Sequence, residues 1–260
     1  MQGDGVTAQE MIEIGATERI FVLTGAGISA PSGLPTFRGA GGISTPSRAK
    51  TARAGDPGIW QGHRVEEVAS PVAWARDPEM VWKFYSWRRQ MHFGVKANAG
   101  HTVLAQLEEE LGERFFLCTQ NVDRLHEAGG SKSAVHMHGE LFKSRCERCM
   151  RSPFHDEQLY QSRAEIPSCE CGGMIRPHVC WFGERPYEMD KIFEALGRAD
   201  VFLCVGSSGV VEPAASFVRQ ARMQGARTYY VGPEAPTNAG LFDRCFTGSA
   251  DKLLPEIVRT

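Results

Sequence analysis

Residues 20–30 read IFVLTGAGISA. The run Ile20–Thr24 is short, rich in β-branched and aromatic side chains, and lacks the alternation of a half-exposed strand. It reads as a strand buried on both faces. The turn that follows, Gly25-Ala26-Gly27-Ile28-Ser29-Ala30, fits the G-x-G-x-x-G/A pattern, in which glycines let the backbone approach a pyrophosphate seated on the next helix N-terminus. Taken alone, it also fits a tight strand-to-helix corner with no ligand.

Three further runs share the character of Ile20–Thr24: Phe115–Thr119, Val201–Val205 and Thr228–Val231. Helical patterns lie between them at Pro78–His92, Val103–Leu111, Met189–Ala195, Ala214–Gln224 and Leu253–Val258. Strands alternating with helices predict an α/β fold, a doubly wound parallel sheet of Rossmann-like type. The four strand exits, GAGIS, QNVD, GSSG and GPE, place glycine or small polar groups at the carboxyl ends, where open α/β sheets bind ligands. About 20 residues beyond the glycine turn a dinucleotide fold would place a ribose-binding acid. Here the chain reads STPSRAKTARAG, a polar loop, so the ordinary hydride-transfer fold is excluded while dinucleotide binding is not.

Two stretches are not needed by the sheet. Residues 41–95 read as a helical module with a cofactor loop and a pocket helix, and 140–179 as a zinc-binding module. Together they predict a smaller inserted domain, leaving 1–40, 96–139 and 180–260 for the dinucleotide-binding domain.

The 260 residues are 42% hydrophobic, enough for a substantial core, and 29 basic side chains balance 31 acidic ones. No basic face for nucleic acid is expected. The N-terminus has no cationic start followed by an apolar run, and no stretch reaches the ~18 apolar residues of a membrane span. A cytoplasmic protein is the expectation.

Four of the eight cysteines pair as Cys146-x2-Cys149 and Cys169-x-Cys171. Without an export signal this clustering fits a metal rather than disulfides, and four thiolates suit one structural Zn²⁺ with no position open for substrate. Cys118, Cys180, Cys204 and Cys245 read as buried fillers. Within WKFYSWRRQM (82–91), Tyr85 and Arg88 stand at i and i+3 and share a helix face. They fit either surface decoration or the floor of an anion pocket; Arg89 reads as a surface residue.

The segments GAGISAPSGLPTFRG, TQNVDRLH, HGELF, CERC, RPHVCWFGE and VGSSGVVEPAA occur in this order. Together they resemble the sirtuin family of NAD-dependent protein lysine deacylases, from about residue 18 to the C-terminus. The resemblance implies an NAD site at Gly25, Ala26, Gly27, Ala30, Phe37 and Arg38. Further cofactor contacts are implied at Gln120, Asn121, Asp123, Gly206, Ser207, Ser208, Gly232, Pro233, Glu234 and Ala250. It makes His138 the catalytic base, with Asn121 beside it, and excludes His136 from that role. Val179, Phe182, Gly183, Glu184 and Val210 fall on two edges between which a substrate peptide would lie as an added strand.

The chemistry so implied removes nicotinamide from NAD and transfers the acyl group to ADP-ribose, with a histidine titrating near neutrality to deprotonate a ribose hydroxyl. The pattern Tyr85-x-x-Arg88, with the small Ala69, resembles class III sirtuins. It implies removal of succinyl and malonyl groups, with glutaryl also a candidate, from protein lysines and a weaker deacetylase activity. Deacetylation as the main activity, mono-ADP-ribosyl transfer to protein and an NAD sensor without turnover are the competing readings. Departures from the family pattern are Pro31, Gly232 and Glu212. An extra stretch at 43–56 fits a solvated insertion or a basic lid on NAD.

Overall fold

The computed structural model describes residues 11–36, 59–60 and 63–260; Phe37, Arg38 and the 43–56 stretch lie outside them. The centre is a six-stranded parallel sheet in the order Arg244–Thr247, Arg227–Gly232, Val201–Val205, Ile20–Thr24, Phe115–Thr119, Val135–His136. Every residue of Ile20–Thr24 is buried. Ile20 and Val22 face a core shared with Leu104, Leu107 and Leu254, from the helices Ala99–Leu111 and Ala250–Ile257. Phe21 and Leu23 face the opposite core, with Ile192 and Leu196 from Met189–Leu196 and with Phe217 and Val218 from Phe217–Met223. A strand sends alternate side chains to opposite faces, so a sheet covered on both sides needs an unbroken apolar run.

Several expectations are corrected. The helix expected at Val103–Leu111 begins at Ala99, where the Asn98 side chain accepts from the Gly100 amide at 3.0 Å. The stretch 214–224 is divided into a 3₁₀ turn, Ala214–Ser216, and the helix Phe217–Met223. The last helix is Ala250–Ile257, and Val258–Arg259 pairs in parallel with Ile12–Glu13. The edge strands Val135–His136 and Arg244–Thr247 were not expected. Cys118 and Cys204 are buried as anticipated, whereas Cys180 is half-buried and Cys245 exposed.

The helices Pro71–Arg76 and Pro78–His92 pack on a three-stranded antiparallel sheet of Phe154–His155, Gly139–Cys146 and Ile175–Val179. A third core containing Val68, Trp82, Tyr85, Leu141 and Trp181 joins them. The Pro78–His92 helix starts cleanly: Asp77 accepts from the Met80 amide at 3.0 Å and Pro78 occupies the first turn, where no amide donor is needed.

Arg89 on this helix is not a surface residue; it is 0% exposed. Its guanidinium donates to the Leu141 carbonyl at 2.9 Å, the Gln158 carbonyl at 2.6 Å and the Ser144 hydroxyl at 3.2 Å, and pairs with Asp156 at 3.3 Å. Five fixed donors enter a core only against such a set of acceptors. Among the described residues no helix is long and apolar enough to cross a membrane.

Candidate active site

The sheet reverses its winding between Ile20–Thr24 and Val201–Val205. Open α/β sheets place ligands in the crevice at such a point. The Gly25 amide donates to the Val205 carbonyl and the Gly27 amide to the Gly206 carbonyl, both at 2.9 Å. A Cβ added to Gly27 would lie 2.6 Å from Gly206 Cα, and one added to Gly206 would lie 2.5 Å from Gly27 Cα. The two turns therefore meet backbone to backbone, and Gly206 also has φ +67°, a conformation that glycine adopts at no steric cost. Above them opens a cavity of about 540 Å³ that runs toward the inserted lobe.

One wall carries the strand-end residues. Gln120 donates from its backbone to the Thr24 carbonyl at 2.9 Å and from its side chain to Ser207 Oγ at 2.8 Å. The Asn121 side-chain amide donates to the Gly25 carbonyl and to Ser29 Oγ, each at 3.1 Å. Beneath them Thr24 and Thr119 join hydroxyls at 2.8 Å, with His126 Nε2 also 2.8 Å from Thr24. The glycine turn, the Gln120–Asn121 segment and the neighbouring strand exit are thus one hydrogen-bonded unit.

His138 lines the cavity, with its Nδ1 3.0 Å from the Gln120 carbonyl. A carbonyl only accepts, so Nδ1 carries the proton and Nε2 keeps its lone pair. Burial holds the imidazole below its ordinary pKa, opposed by the Gln120 carbonyl. A neutral histidine with a free Nε2 is a competent general base.

The other wall comes from the lobe. Ala69, Tyr85 and Arg88 line it together with Val179, Phe182, Gly183 and Glu184. Trp181 donates its indole N–H to the Tyr85 hydroxyl at 3.0 Å, and the Phe182 amide donates to the Ala69 carbonyl at 3.0 Å. Glu184 accepts twice from Arg176, at 2.7 and 3.0 Å, and the Arg176 guanidinium stacks 3.2 Å over the Trp181 ring. Burial raises the Tyr85 phenol to about 12 and lowers the Arg88 guanidinium to about 10. At neutral pH the pair is therefore a neutral hydroxyl beside a cation.

Of the cofactor positions, Gly25, Ala26, Gly27 and Ala30 line the cavity from the first turn, Gln120 and Asn121 from the second, and Ser207, Ser208, Pro233 and Glu234 from the far strands. Val210 lines it on the peptide side. Asp123 does not: it accepts from Ser29 Oγ at 2.9 Å and the Leu125 amide at 3.0 Å, and lines a smaller hollow with His92 and Arg124. Burial raises its carboxyl pKa. Gly232 and Ala250 are also outside the lining; Ala250 is 0% exposed in the sheet core.

Trp181 and Ser29 fall within the substrate-edge and cofactor-loop stretches, but the sequence did not show that Trp181 orients Tyr85 or that Ser29 ties Asn121 to Asp123. Ser29 lies within the quoted GAGIS turn, and its hydroxyl was the available signal.

The four cysteine sulfurs lie within 4.8 Å of one another, Cys146 and Cys171 at 3.4 Å, Cys149 and Cys169 at 3.7 Å. Tetrahedral zinc with Zn–S bonds of about 2.3 Å spaces its thiolates about 3.8 Å apart, so the donor set fits the metal. Gly173 makes the tight spacing feasible, since a Cβ there would stand 2.9 Å from Cys146 Sγ.

The Sir2 family model matches residues 39–213. An "NAD-dependent protein deacylase" of Salmonella typhimurium is 42% identical over 252 residues, covering 96% of this chain and 85% of the relative. One of the same description from Pasteurella multocida is 42% identical over 245 residues, covering 91% and 95%. The crystal structure of a Sir2 homolog–NAD complex aligns over 96% of each chain with a TM-score of 0.78 at 34% identity.

Proposed function

The chain belongs to the Sir2, or sirtuin, family of NAD-dependent protein deacylases, and we propose that among acyl-lysines it prefers those ending in a carboxylate: succinyl and malonyl first, glutaryl admitted, acetyl removed more weakly. The observation that carries this reading is the placement of Arg88 and Tyr85 on the wall of the cavity that His138 lines. A buried guanidinium presents a planar fork that takes a carboxylate bidentately. Tyr85 accepts from Trp181, so its own O–H remains to be donated. Ala69 contributes only a methyl group to the same cavity lining, which leaves room for a longer acyl chain.

NAD held at the strand exits supplies the ADP-ribose that accepts the acyl group and the nicotinamide that leaves. Gly25, Gly27 and Gly206 fit that role because any Cβ there would fill the crevice floor or strike the opposing backbone. Ser207, Ser208, Pro233 and Glu234 flank the far end. Asn121, fixed through its amide to Gly25 and Ser29, orients the groups brought against it. His138 Nε2 takes up a proton from a hydroxyl presented to it and can return it. Phe182 and Val210 stand on the two edges that receive the peptide backbone around the acyl-lysine. Cys146, Cys149, Cys169 and Cys171 would hold a structural zinc that braces this part of the fold, with no ligand position open for the chemistry. We place the enzyme in the cytoplasm with its acylated protein substrates.

The test is product analysis. Incubation with NAD and a succinyl-lysine peptide should yield free lysine peptide, nicotinamide and O-succinyl-ADP-ribose in equal amounts. Label passing from NAD to protein without loss of acyl-lysine would instead support ADP-ribosyl transfer, and absence of nicotinamide release a binding role alone.

A further inference from the structure

Two histidines two positions apart hold successive carbonyls of the same segment. His138 Nδ1 lies 3.0 Å from the Gln120 carbonyl, and His136 Nδ1 lies 3.0 Å from the Asn121 carbonyl. Their second nitrogens differ in what they meet. Among the described residues His138 Nε2 has no hydrogen-bond partner, and its ring lines the cavity, whereas His136 Nε2 is 2.8 Å from Glu127 Oε1.

A carbonyl and a carboxylate both only accept. Satisfying both His136 contacts requires a proton on each ring nitrogen, which makes this ring an imidazolium. We propose that the His136–Glu127 ion pair is a charged staple that fixes the Asn121 backbone, a positioning device for the reaction assigned above to His138 and Asn121. The proposal rests on that assignment.

The geometry makes the staple consequential. Asn121 is gripped at three points: its amide N–H donates to Thr119 Oγ1 at 3.0 Å, its side chain to Gly25 and Ser29, and its carbonyl accepts from His136. Only the last grip titrates. The charged groups around His136 are Glu127 on the turn Leu125–Ala128, Glu140 on the strand Gly139–Cys146, and Asp123 and His126 after the strand Phe115–Thr119; Lys143 stands toward Glu127. Burial alone would lower the pKa of His136, but the carboxylates of Glu127 and Glu140 raise it on balance. Two rings on one short segment are thereby held in opposite states, His138 neutral and His136 charged.

A histidine with a raised folded pKa keeps its contacts below its ordinary titration range and loses them as pH rises through the folded value. Activity should therefore have an alkaline limb set by His136, separate from the acid limb set by His138. Loss of the staple should lower kcat and leave the peptide KM nearly unchanged, because Tyr85 and Arg88 sit on a different element.

The experiment has two arms. In the first, ¹⁵N-histidine NMR follows the ring nitrogens of His136 without NAD or peptide. Both should be protonated at pH 7 in the wild type, and Glu127→Gln should bring deprotonation to lower pH. In the second, Glu127→Gln should shift the alkaline limb of kcat downward with the acid limb unmoved. His136→Ala should lower kcat about 10- to 100-fold at constant peptide KM, the range expected for misplaced catalytic groups. A neutral His136 in the wild type at pH 7, or an alkaline limb unmoved by Glu127→Gln, overturns the proposal. A wild type with a charged His136 but no deacylation would overturn the functional reading and leave the ion pair standing.

Discussion

The Trp181 indole N–H lies 3.0 Å from the Tyr85 hydroxyl, across the boundary between the Ile175–Val179 strand exit and the Pro78–His92 helix. An indole nitrogen can only donate, so the contact sets the Tyr85 oxygen as acceptor and directs its hydrogen elsewhere. With Arg88 one turn away on the same helix, the cavity gains a donor and a cation from residues that are 1% and 6% exposed.

Tyr85→Phe removes that donor without changing the volume of the wall much. Desuccinylation should fall about tenfold in kcat/KM, the value of one hydrogen bond to a charged acceptor at its lower end. Deacetylation should change by less than about twofold, equivalent to under ~0.5 kcal/mol. Parallel steady-state assays of the two acyl peptides measure the difference. Equal losses on both would show that Tyr85 acts through packing.

His138→Tyr should abolish deacylation while zinc content, read by atomic absorption, stays at the wild-type level. The proposed base must be neutral, so kcat/KM falls as pH drops through the pKa of His138 in the free enzyme. Burial lowers that pKa, placing the acid limb below the usual histidine value of about 6.5. A limb above that value would contradict the environment described here.

Zinc removal should cost the substrate pocket as well as the metal module. Trp74 donates to Glu147 at 2.7 Å, next to Cys146, and Trp82 donates to the Ile175 carbonyl at 3.0 Å, so the two helices are tied to the strands that flank the cysteine cluster. Cys149→Ser should release the metal and lower the melting temperature, since binding of a structural metal is coupled to folding. An intact transition with full activity would separate the two.

Asp156→Ala strands the Arg89 charge in a core where the arginine side chain is 0% exposed. Breaking a buried pair by removing one partner costs about 3–5 kcal/mol. Urea denaturation should show an unfolding free energy lower by about that amount, whereas a loss under ~1 kcal/mol would place the pair at the level of a surface salt bridge.

Much of this was legible in the sequence where burial was two-sided. Ile20–Thr24, Phe115–Thr119 and Val201–Val205 appear in the structure with the bounds read from their unbroken apolar runs. Val135–His136 and Arg244–Thr247 escaped notice because edge strands need no continuous apolar pattern, and the first holds only two residues. Arg89 was misread because its acceptors, Leu141, Gln158 and Asp156, lie far along the chain and helix periodicity carries no trace of them. Asp123 belongs to a quoted motif, yet motif membership did not reveal that its carboxylate is engaged by Ser29 and the Leu125 amide, outside the cavity lining. The glycine turn showed where backbone must come close, and Gly206, against which it closes, was visible only as another small strand exit.

The proposed selection of the acyl group by a guanidinium on the pocket wall is tested most directly by kcat/KM with NAD for succinyl- and acetyl-lysine on one peptide sequence, in the wild type and in Arg88→Met. Two donors to one carboxylate, at about 1.5–3 kcal/mol each, favour succinyl by roughly 10²-fold or more in the wild type. Arg88→Met should collapse desuccinylation while sparing or raising deacetylation. Equal efficiency on both groups in the wild type, or equal loss of both in Arg88→Met, would contradict the account.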